Sequence, residues 1–310
     1  MSKFKIEDYI IRDEPLGRYT GMGVGGVADY FVEADSIKKI EQAVAWAAQN
    51  SIDYEIIGRG TNIIVGGKGF RGLVIANKTS GITFDIDKGR VVVESGYPLP
   101  KLILEAATQG FGGMEELFGI PGSVGGALVV NAGTHGVSVG SFLQIASVLM
   151  PGGKIETFGP KDFGFQYRYS KLKGRKSKNP PVVLNAIFRL HKKKRDAIIS
   201  EIAKSKTFRE KSQPLGEKTS GSIFKNPSGS DSGTNVKEKS AGYLLELSGA
   251  KSFLVGRAAV SKKHANWVIN KGNADSRSVR ELIEKMRDAV KDKFSVTLEE
   301  EVEYFGQWDD

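Results

Sequence analysis

The feature that most constrains this chain is a glycine-rich apolar segment near its middle. Residues 119–133 read GIPGSVGGALVVNAG and contain five glycines and one proline. Their polar side chains are those of Ser123 and Asn131, whereas an exposed loop of this length is usually more polar. Because glycine lets backbone approach a neighbour closely, the segment predicts backbone packed against a flat or charged ligand. A buried β-bulge region without a ligand is the alternative.

A second glycine-rich turn, GRGTN at residues 58–62, lies between two β-branched runs. Glycines in such a turn allow backbone N–H groups to approach an anion, as in phosphate-binding nests. The segment lacks the GxGxxG spacing and does not open a helix, which argues against a Rossmann nicotinamide site. The alternative is a plain tight turn between two strands.

The positive charge of the chain is concentrated in one region. The whole sequence carries 45 Lys and Arg against 36 Asp and Glu, a net charge of +9. Residues 168–211 hold 15 Lys and Arg and 3 Asp and Glu, so this region is +12 and the remainder is −3. Such a field attracts an anionic partner. Its lysine-rich runs contain no aromatic residue for base stacking, which favours a small phosphorylated ligand over nucleic acid. The alternative is that this basic region is a solvent-exposed loop and helix face that binds no ligand.

Several classes of protein are excluded or disfavoured by composition. The chain has no cysteine, so disulfides, thiolate metal sites and a cysteine nucleophile are impossible. His135, His191 and His264 are far apart in sequence, and no metal site is expected. No apolar run approaches the roughly 18 residues of a membrane helix. The first fifteen residues alternate charged and apolar side chains, so we expect neither a signal peptide nor membrane insertion.

The order of apolar runs predicts an α+β fold with many short strands rather than a βαβ repeat. A length of 310 residues suggests about two domains. We predict helices at residues 36–50, with Ser36 as the N-cap, and at 100–109, 192–209, 239–247 and 275–292. We predict strands at residues 55–57, 62–65, 72–76, 83–94 as a hairpin, 141–158 as a pair, 181–190, around 258 and 268, and at 295–298 and 302–305. Residues 171–179 and 213–234 are predicted loops.

Two polar positions stand out among the candidate functional residues. Arg168 lies between Tyr167 and Tyr169, and a guanidinium fork suits a carboxylate or a phosphate. Ser222 directly follows Gly221, so a tight loop can present its hydroxyl to a ligand. The flanking residues do not form GxSxG, which disfavours a hydrolase nucleophile. A structural arginine and a solvated serine turn are the respective alternatives.

Three adjacent carboxylates, Glu299, Glu300 and Glu301, stand where a final strand is predicted to begin. Side chains alternate along a strand, so the first and third would point one way and the second the other. One carboxylate directed into a positive cleft can take part in proton chemistry. A solvated acidic terminus is the alternative. His264 begins an apolar run and is a candidate for lining a pocket.

Taken together, these segments resemble the UDP-N-acetylenolpyruvoylglucosamine reductase family, flavoenzymes of bacterial peptidoglycan precursor synthesis. Each motif is weak alone, but their order and spacing are specific and span nearly the whole chain. The segments that carry the resemblance are YTGMGVGGVADYFV, GRGTNIIV, GIPGSVGGALVVNAG, YRYS, GSIFKNP, AGYLLELSGAK, AAVSKKHANWVIN and LEEEV.

The resemblance implies an α+β architecture of three parts. Residues 1–80 and 81–191 would form a two-subdomain FAD-binding module of the vanillyl-alcohol-oxidase (PCMH) type, and residues 192–310 a C-terminal α+β substrate-binding domain. The short stretches after Arg168 and before Ser222 resemble the shorter subtype, which lacks the tyrosine loop that covers the substrate. Glu303 stands where the family commonly carries a basic residue.

The resemblance also implies non-covalent FAD, with NADPH and UDP-N-acetylglucosamine-enolpyruvate as ligands. It implies a bacterial cytoplasmic monomer with no nucleic-acid partner. The implied catalytic residues are Arg168 and Glu301, which would stabilise an enolate-like intermediate, and Ser222, which would protonate it. The implied FAD contacts are Gly58, Arg59, Gly60, Thr61, Asn62, Gly122, Ser123, Gly125, Gly126, Asn131 and Gly133. The implied substrate contacts are Tyr167, Lys225, Asn226 and His264.

Two other functions remain open at this point. One is an FAD oxidase built on the same N-terminal fold, for a sugar or an alditol. Many such oxidases bind flavin covalently through His or Cys, and here only His135 lies near the glycine-rich segment. The other is a basic nucleic-acid-binding protein, which would show no flavin absorbance.

Overall fold

A computed structural model describes residues 5–173, 178–227 and 240–308 of the chain. The fold divides into two compact units, each assembled from separate stretches of sequence. The first unit comprises Met1–Glu14, Ala28–Arg59 and Gly72–Lys206, and the second comprises Pro15–Val27, Gly60–Arg71 and Thr207–Asp310. The three-part division of the sequence into residues 1–80, 81–191 and 192–310 stays a prediction.

The described helices and strands are numbered in chain order. The α-helices are α1 Ile37–Gln49, α2 Leu99–Thr108, α3 Val124–Val130, α4 Pro160–Phe163, α5 Arg195–Ser212, α6 Ala241–Leu247 and α7 Ser276–Phe294. The strands are β1 Ile11–Pro15, β2 Val27–Ala34, β3 Tyr54–Ile57, β4 Ile63–Val65, β5 Phe70–Asn77, β6 Ile82–Asp85, β7 Arg90–Glu94, β8 Phe111–Gly112, β9 Gly133–Thr134, β10 Val137–Ser138, β11 Leu143–Leu149, β12 Ile155–Phe158, β13 Val182–Arg189, β14 His191–Lys192, β15 Leu254–Val255, β16 Ala258–Val260, β17 Val268–Asn270 and β18 Glu303–Phe305.

The first unit is built around two sheets and two hydrophobic clusters. Strands β1, β2, β5 and β3 form one sheet in that order, and β3 and β5 are parallel. Helix α1 buries Ile40, Val44 and Ala47, which recur at helical spacing, in the cluster beside this sheet. The second sheet runs β12-β11-β13-β7-β6 and is antiparallel. The other hydrophobic cluster is formed by residues of α2 and α3 together with the inward side chains of this second sheet.

The second unit has a single described cluster of buried apolar residues. Strands β15, β16 and β17 form an antiparallel sheet, and β18 pairs in parallel with β4. Helix α7 begins at Asp275, whose side chain accepts a hydrogen bond from Ser278 N at 2.6 Å. A carboxylate at this N-cap position stabilises the first turn. Five apolar side chains of α7 are fully buried: Val279, Leu282, Ile283, Met286 and Val290.

Most predicted elements are present in the structure, whereas strands β1, β2, β8, β9, β10 and β14 and helices α3 and α4 have no predicted counterpart. The predicted strand at residues 295–298 is wrong: Ser295 adopts a left-handed conformation that ends α7, and Leu298 enters the core from an irregular segment. Helix α5 begins at Arg195 instead of residue 192. Helix α3 is absent from the predicted elements, because its glycines suggest irregular backbone.

Parts of three predicted segments, the loops at 171–179 and 213–234 and the helix at 239–247, lie outside the described residues. Among the residues that the structure describes, no helix is long and apolar enough to cross a lipid bilayer.

Candidate active site

The two glycine-rich segments meet in the first unit. A Cβ atom added to Gly58 would collide with the hydroxyl of Ser123, so these positions pack without space for a side chain. Ser123 is the N-cap of α3, and its Oγ accepts a hydrogen bond from Gly126 N at 3.3 Å. Segments that are more than sixty positions apart in sequence are thereby brought into contact.

Close packing within the protein explains why two positions of the segment at residues 119–133, Gly125 and Gly133, are glycine. A Cβ on Gly125 would lie 2.8 Å from the Cβ of Ser95, and Gly125 N donates to Ser95 O at 2.8 Å. A Cβ on Gly133 would lie 2.5 Å from Val137 O in the β9–β10 hairpin. Gly126, in contrast, is exposed, and a Cβ added to it would meet only Ser123 Oγ at 3.4 Å. Gly126 therefore presents bare backbone at the surface.

Asn62 is tied to the C-terminal segment within the second unit. Its side-chain Nδ2 donates to the backbone carbonyl of Glu301 at 3.2 Å, and Asn62 O accepts from Glu303 N at 3.0 Å. Gly60, two residues earlier, has φ +63°, and a Cβ there would collide with Tyr19 O. The GRGTN turn therefore has no space for a side chain at Gly60. Asn62 anchors the turn to the strand that follows Glu301.

Arg168 lies in a tight turn in the first unit. Gln166 N donates to Tyr169 O at 3.0 Å, and Tyr169 N donates to Gln166 O at 3.2 Å. Arg168 has φ +51°, a conformation that costs a residue with a Cβ roughly 1 kcal/mol. Its guanidinium carbon lies 5.2 Å from the centre of the Tyr167 ring. The turn presents a charged fork backed by an aromatic face.

Asn131 also holds the turn that carries Arg168. Its side-chain Nδ2 donates to the carbonyl of Gln166 at 2.9 Å. The hydroxyl of Ser170, on the other side of the turn, donates to Val129 O at 2.6 Å. The C-terminal end of α3 therefore supports the turn from both sides.

In the second unit, Ser222 lies on a short extended segment. This segment runs between the one that carries Trp267 and the one that carries Glu300. Ser222 forms a bridge with Trp267 on one side, and Phe224 forms a bridge with Glu300 on the other. Glu301 N donates to Ile223 O at 2.7 Å. The backbones that carry the candidate serine and the candidate glutamate are thus directly bonded.

A buried asparagine that the sequence analysis missed fixes this segment. Asn266 is 4% exposed. Its Oδ1 accepts from Phe224 N at 2.9 Å, and its Nδ2 donates to Phe224 O at 2.8 Å. The side chain therefore substitutes for a partner strand. The available signal was a polar residue in the apolar run HANWVIN, but its partner is 42 positions away.

The three consecutive carboxylates have different surroundings. Glu299 forms an ion pair with Lys225, and Glu300 pairs with Arg287 at 2.7 Å. Lys225 was predicted to contact substrate, and here it is engaged with Glu299. The backbone of Glu301 contacts the serine segment through the bond from Glu301 N to Ile223 O.

Asn226 and His264 both adjoin α6. Asn226 Oδ1 accepts from Ala241 N at 3.1 Å, and the His264 ring is so close to Gly242 that a Cβ there would lie 2.9 Å from Cε1. His264 Nδ1 accepts from Asn266 N at 3.2 Å. Burial lowers the pKa of His264, and the charge of Lys251 lowers it further, against an opposing effect of Glu246. Because Nδ1 accepts the hydrogen bond from Asn266 N, the neutral ring carries its proton on Nε2.

Three buried hydrogen-bonding groups around Ser222 have no partner within the described part of the chain. They are Thr219 Oγ1, Ser220 Oγ and Trp267 Nε1. Buried polar atoms in folded proteins almost always have a partner. A bound ligand would supply one here. Among the described residues, no group of His, Asp and Glu could hold a metal ion.

Comparison with known protein families defines the class of this protein. Residues 28–159 match the family described as FAD binding domain. The chain is an FAD-dependent oxidoreductase of α+β fold, as the sequence predicted. Three features of the first unit fit such a cofactor. They are the exposed backbone of Gly126, the exposed side chain of Arg59 and the close packing of Gly58 against Ser123.

Further comparisons give the family. Residues 213–305 match the UDP-N-acetylenolpyruvoylglucosamine reductase C-terminal domain. UDP-N-acetylenolpyruvoylglucosamine reductase 1 of Bacillus cereus is 36% identical over 298 residues, 96% of this chain and 95% of the relative. The reductase of Carboxydothermus hydrogenoformans is 36% identical over 303 residues, 98% and 96% of the two chains.

A solved structure agrees with these sequence relatives. The UDP-N-acetylenolpyruvylglucosamine reductase of Thermus caldophilus has a TM-score of 0.77 and 31% identity, and covers 97% of this chain and 98% of its own. The chain belongs to the UDP-N-acetylenolpyruvoylglucosamine reductase family. The resemblance stated from its motifs is confirmed, and neither the oxidase nor the nucleic-acid alternative is supported.

Proposed function

We propose that this protein reduces the enolpyruvyl group of UDP-N-acetylglucosamine-enolpyruvate to give UDP-N-acetylmuramate, a precursor of peptidoglycan. The observation that carries the proposal is the direct backbone bond between Glu301 N and Ile223 O, 2.7 Å long. It joins the backbone of Glu301 to the residue that follows the candidate proton donor Ser222. Ser222 and Glu301 are nearly eighty positions apart in sequence. Asn266 also holds the segment that carries Ser222, through both backbone groups of Phe224, which argues against a chance contact of solvated residues.

When bound, FAD would supply hydride transfer from NADPH to the β-carbon of the enolpyruvyl double bond. The protein's part is to bind the substrate carboxylate, to carry the negative charge that develops at the α-carbon and to deliver a proton there. Each of these tasks requires a different kind of side chain.

Arg168 would hold the substrate carboxylate. Its planar fork can donate two parallel hydrogen bonds to one carboxylate, and the Tyr167 ring lies against the guanidinium. A donor aimed at developing charge can lower a barrier by roughly 2.7–4 kcal/mol. Glu301 would help to stabilise the enolate-like intermediate.

Ser222 would protonate the α-carbon. Its position after Gly221, which has φ +80°, places the hydroxyl at a turn that glycine allows. General-acid assistance is typically worth about 10²- to 10⁴-fold in rate. The neighbouring unsatisfied groups Ser220 Oγ and Trp267 Nε1 would hydrogen-bond to ligand.

The remaining assignments are proposals of the same standing. Lys225, Asn226, His264 and Tyr167 would contact the nucleotide-sugar. The +12 region at residues 168–211 would attract its diphosphate, and Lys171 is its described lysine nearest Arg168 in sequence. We also propose a cytoplasmic monomer of the shorter subtype, without the substrate-covering tyrosine loop.

Two measurements test the function. The purified protein should absorb as a flavoprotein, and acid precipitation should release FAD into the supernatant. NADPH oxidation should then depend on added UDP-N-acetylglucosamine-enolpyruvate. Flavin that stays with the pellet, or NADPH oxidation that requires only oxygen and a sugar, would point to an oxidase and contradict the proposal.

A further inference from the structure

The side chain of Asn131 bridges two backbone segments of the first unit. Asn131 is 6% exposed and ends α3 in a left-handed conformation, with φ 48° and ψ 57°. Its Oδ1 accepts from Gly140 N at 3.1 Å, and its Nδ2 donates to Gln166 O at 2.9 Å. The amide thus uses its oxygen and one N–H within the protein itself.

The carbonyl that Asn131 contacts closes the turn bearing Arg168. Gln166 O also accepts from Tyr169 N at 3.2 Å, so both of its lone pairs are used. Arg168 stands in this turn at φ +51°, where a side chain with a Cβ is disfavoured unless the surroundings hold it. The direction of the guanidinium therefore depends on how firmly the carbonyl of Gln166 is held.

The space around the amide is shaped to keep it in place. A Cβ on Gly140 would lie 2.7 Å from Asn131 Oδ1 and 2.6 Å from the ring of Phe165, so only glycine fits. A second anchor is Ser170, fully buried, whose hydroxyl donates to Val129 O at 2.6 Å. Both anchors connect the turn to the same end of α3.

We propose that Asn131 is a positioning residue for Arg168, acting on the substrate-reducing half of the reaction, rather than a contact of the flavin. The inference rests on the proposed function, in which Arg168 holds the substrate carboxylate. A donor displaced by about 1 Å can lose on the order of 10²-fold in rate. Loosening the turn should therefore affect the step in which Arg168 acts and leave flavin reduction by NADPH unchanged.

The test variant is Asn131→Gly in the FAD-loaded enzyme. Glycine accepts the left-handed conformation at the end of a helix, so the backbone is not strained while both hydrogen bonds are lost. Stopped-flow absorbance should show reoxidation of the reduced flavin by the enolpyruvyl nucleotide slowed by roughly 10- to 100-fold. Reduction by NADPH, FAD content and the flavin spectrum should match the parent. The matched control is Asn273→Gly, an exposed left-handed asparagine with φ 59°, which should leave both half-reactions unchanged.

A double-mutant cycle separates positioning from an independent role. If Asn131 acts through Arg168, the double variant Asn131→Gly, Arg168→Ala should reoxidise no more slowly than Arg168→Ala alone. Additive losses would overturn the inference, and so would loss of FAD from Asn131→Gly. Unchanged reoxidation in Asn131→Gly with a slow Arg168→Ala would also overturn it. A normal rate in Arg168→Ala would instead refute the proposed role of Arg168, on which the inference depends.

Hydrogen exchange gives a readout that does not depend on turnover. In the FAD-loaded Asn131→Gly protein, the amide of Tyr169 should exchange faster than in the parent, because the turn opens more often. Unaltered exchange would overturn the inference. If Asn131→Gly does not fold, Ser170→Ala removes the hydroxyl of the other anchor. This variant should slow reoxidation and leave flavin reduction by NADPH unchanged. Equal rates relative to the parent in both half-reactions, or equal slowing of both, would count against the proposal.

Discussion

The side-chain amide of Asn62 donates a hydrogen bond to the backbone carbonyl of Glu301, with 3.2 Å between Nδ2 and O. The contact joins positions 239 residues apart in sequence. With the bond from Glu303 N to Asn62 O at 3.0 Å, it begins the parallel pairing of β4 and β18. The end of the GRGTN turn thereby fixes the backbone beside the candidate carboxylate.

Replacement of Asn62 by alanine should lower both stability and substrate reduction. A lost hydrogen bond of this kind costs about 0.5–1.5 kcal/mol in the free energy of unfolding, and Glu301 loses one support. Chemical denaturation and stopped-flow reoxidation would measure the two effects. The control is Asn50→Ala, which removes an exposed amide-to-carbonyl bond to Trp46 O and should leave reoxidation unaltered. If the Asn62 variant loses flavin but reoxidises normally, its main role is at the cofactor.

Replacement of Ser222 by alanine should separate the two half-reactions. Flavin reduction by NADPH requires no proton at the enolpyruvyl carbon, so it should proceed nearly as in the parent. Reoxidation by the enolpyruvyl nucleotide should slow by about 10²- to 10⁴-fold, and Ser222→Cys should recover part of it. Ser212→Ala, which removes an exposed hydroxyl bonded to Phe208 O, is the control. Equal slowing of both steps would mean that the serine is structural and that Glu301 is the next candidate for proton donor.

Substitution of Gly58 by alanine should destabilise the first unit and weaken FAD retention. The added Cβ collides with Ser123 Oγ, and insertion of a methyl group into a packed site costs typically about 1–3 kcal/mol. Thermal unfolding and the flavin content after gel filtration would report the two effects. Gly152→Ala is the matched control, because a Cβ there has no heavy atom within 4 Å. A Gly58→Ala protein as stable as this control would show that Ser123 can move aside freely.

His264 should make the folded state less stable below neutral pH. Its pKa is lowered in the fold, chiefly by burial, so the unfolded chain binds a proton more readily. The stabilisation is present above the ordinary histidine value of about 6.5 and is lost as pH falls through the lower folded pKa. His264→Gln should therefore unfold with a smaller decrease in Tm between about pH 7.5 and pH 5 than the parent does. Parallel pH profiles for the two proteins would contradict the predicted shift.

Much of this protein is readable from local sequence. The helix predicted at residues 275–292 corresponds to α7, Ser276–Phe294. Ile40 and Val44 predict α1 because apolar residues recur every helical turn. The order of the motifs around Arg168, Ser222 and Glu301 identifies the family. These signals are local, or are an ordered set of local patterns, so no knowledge of tertiary contacts is needed to recognise them.

The supports of the candidate site could not be read in this way. Asn62, Asn131 and Asn266 look alike in sequence, and their side chains bond backbone groups that are 239, 35 and 42 positions away. An asparagine amide has two donors and an acceptor with no intrinsic preference among distant partners. Which partner it takes depends on the segments that burial of the apolar core brings beside it. The same long-range packing places residues 15–27 and 60–71 in the second unit, because hydrophobic burial is non-directional and is satisfied only by the assembled fold.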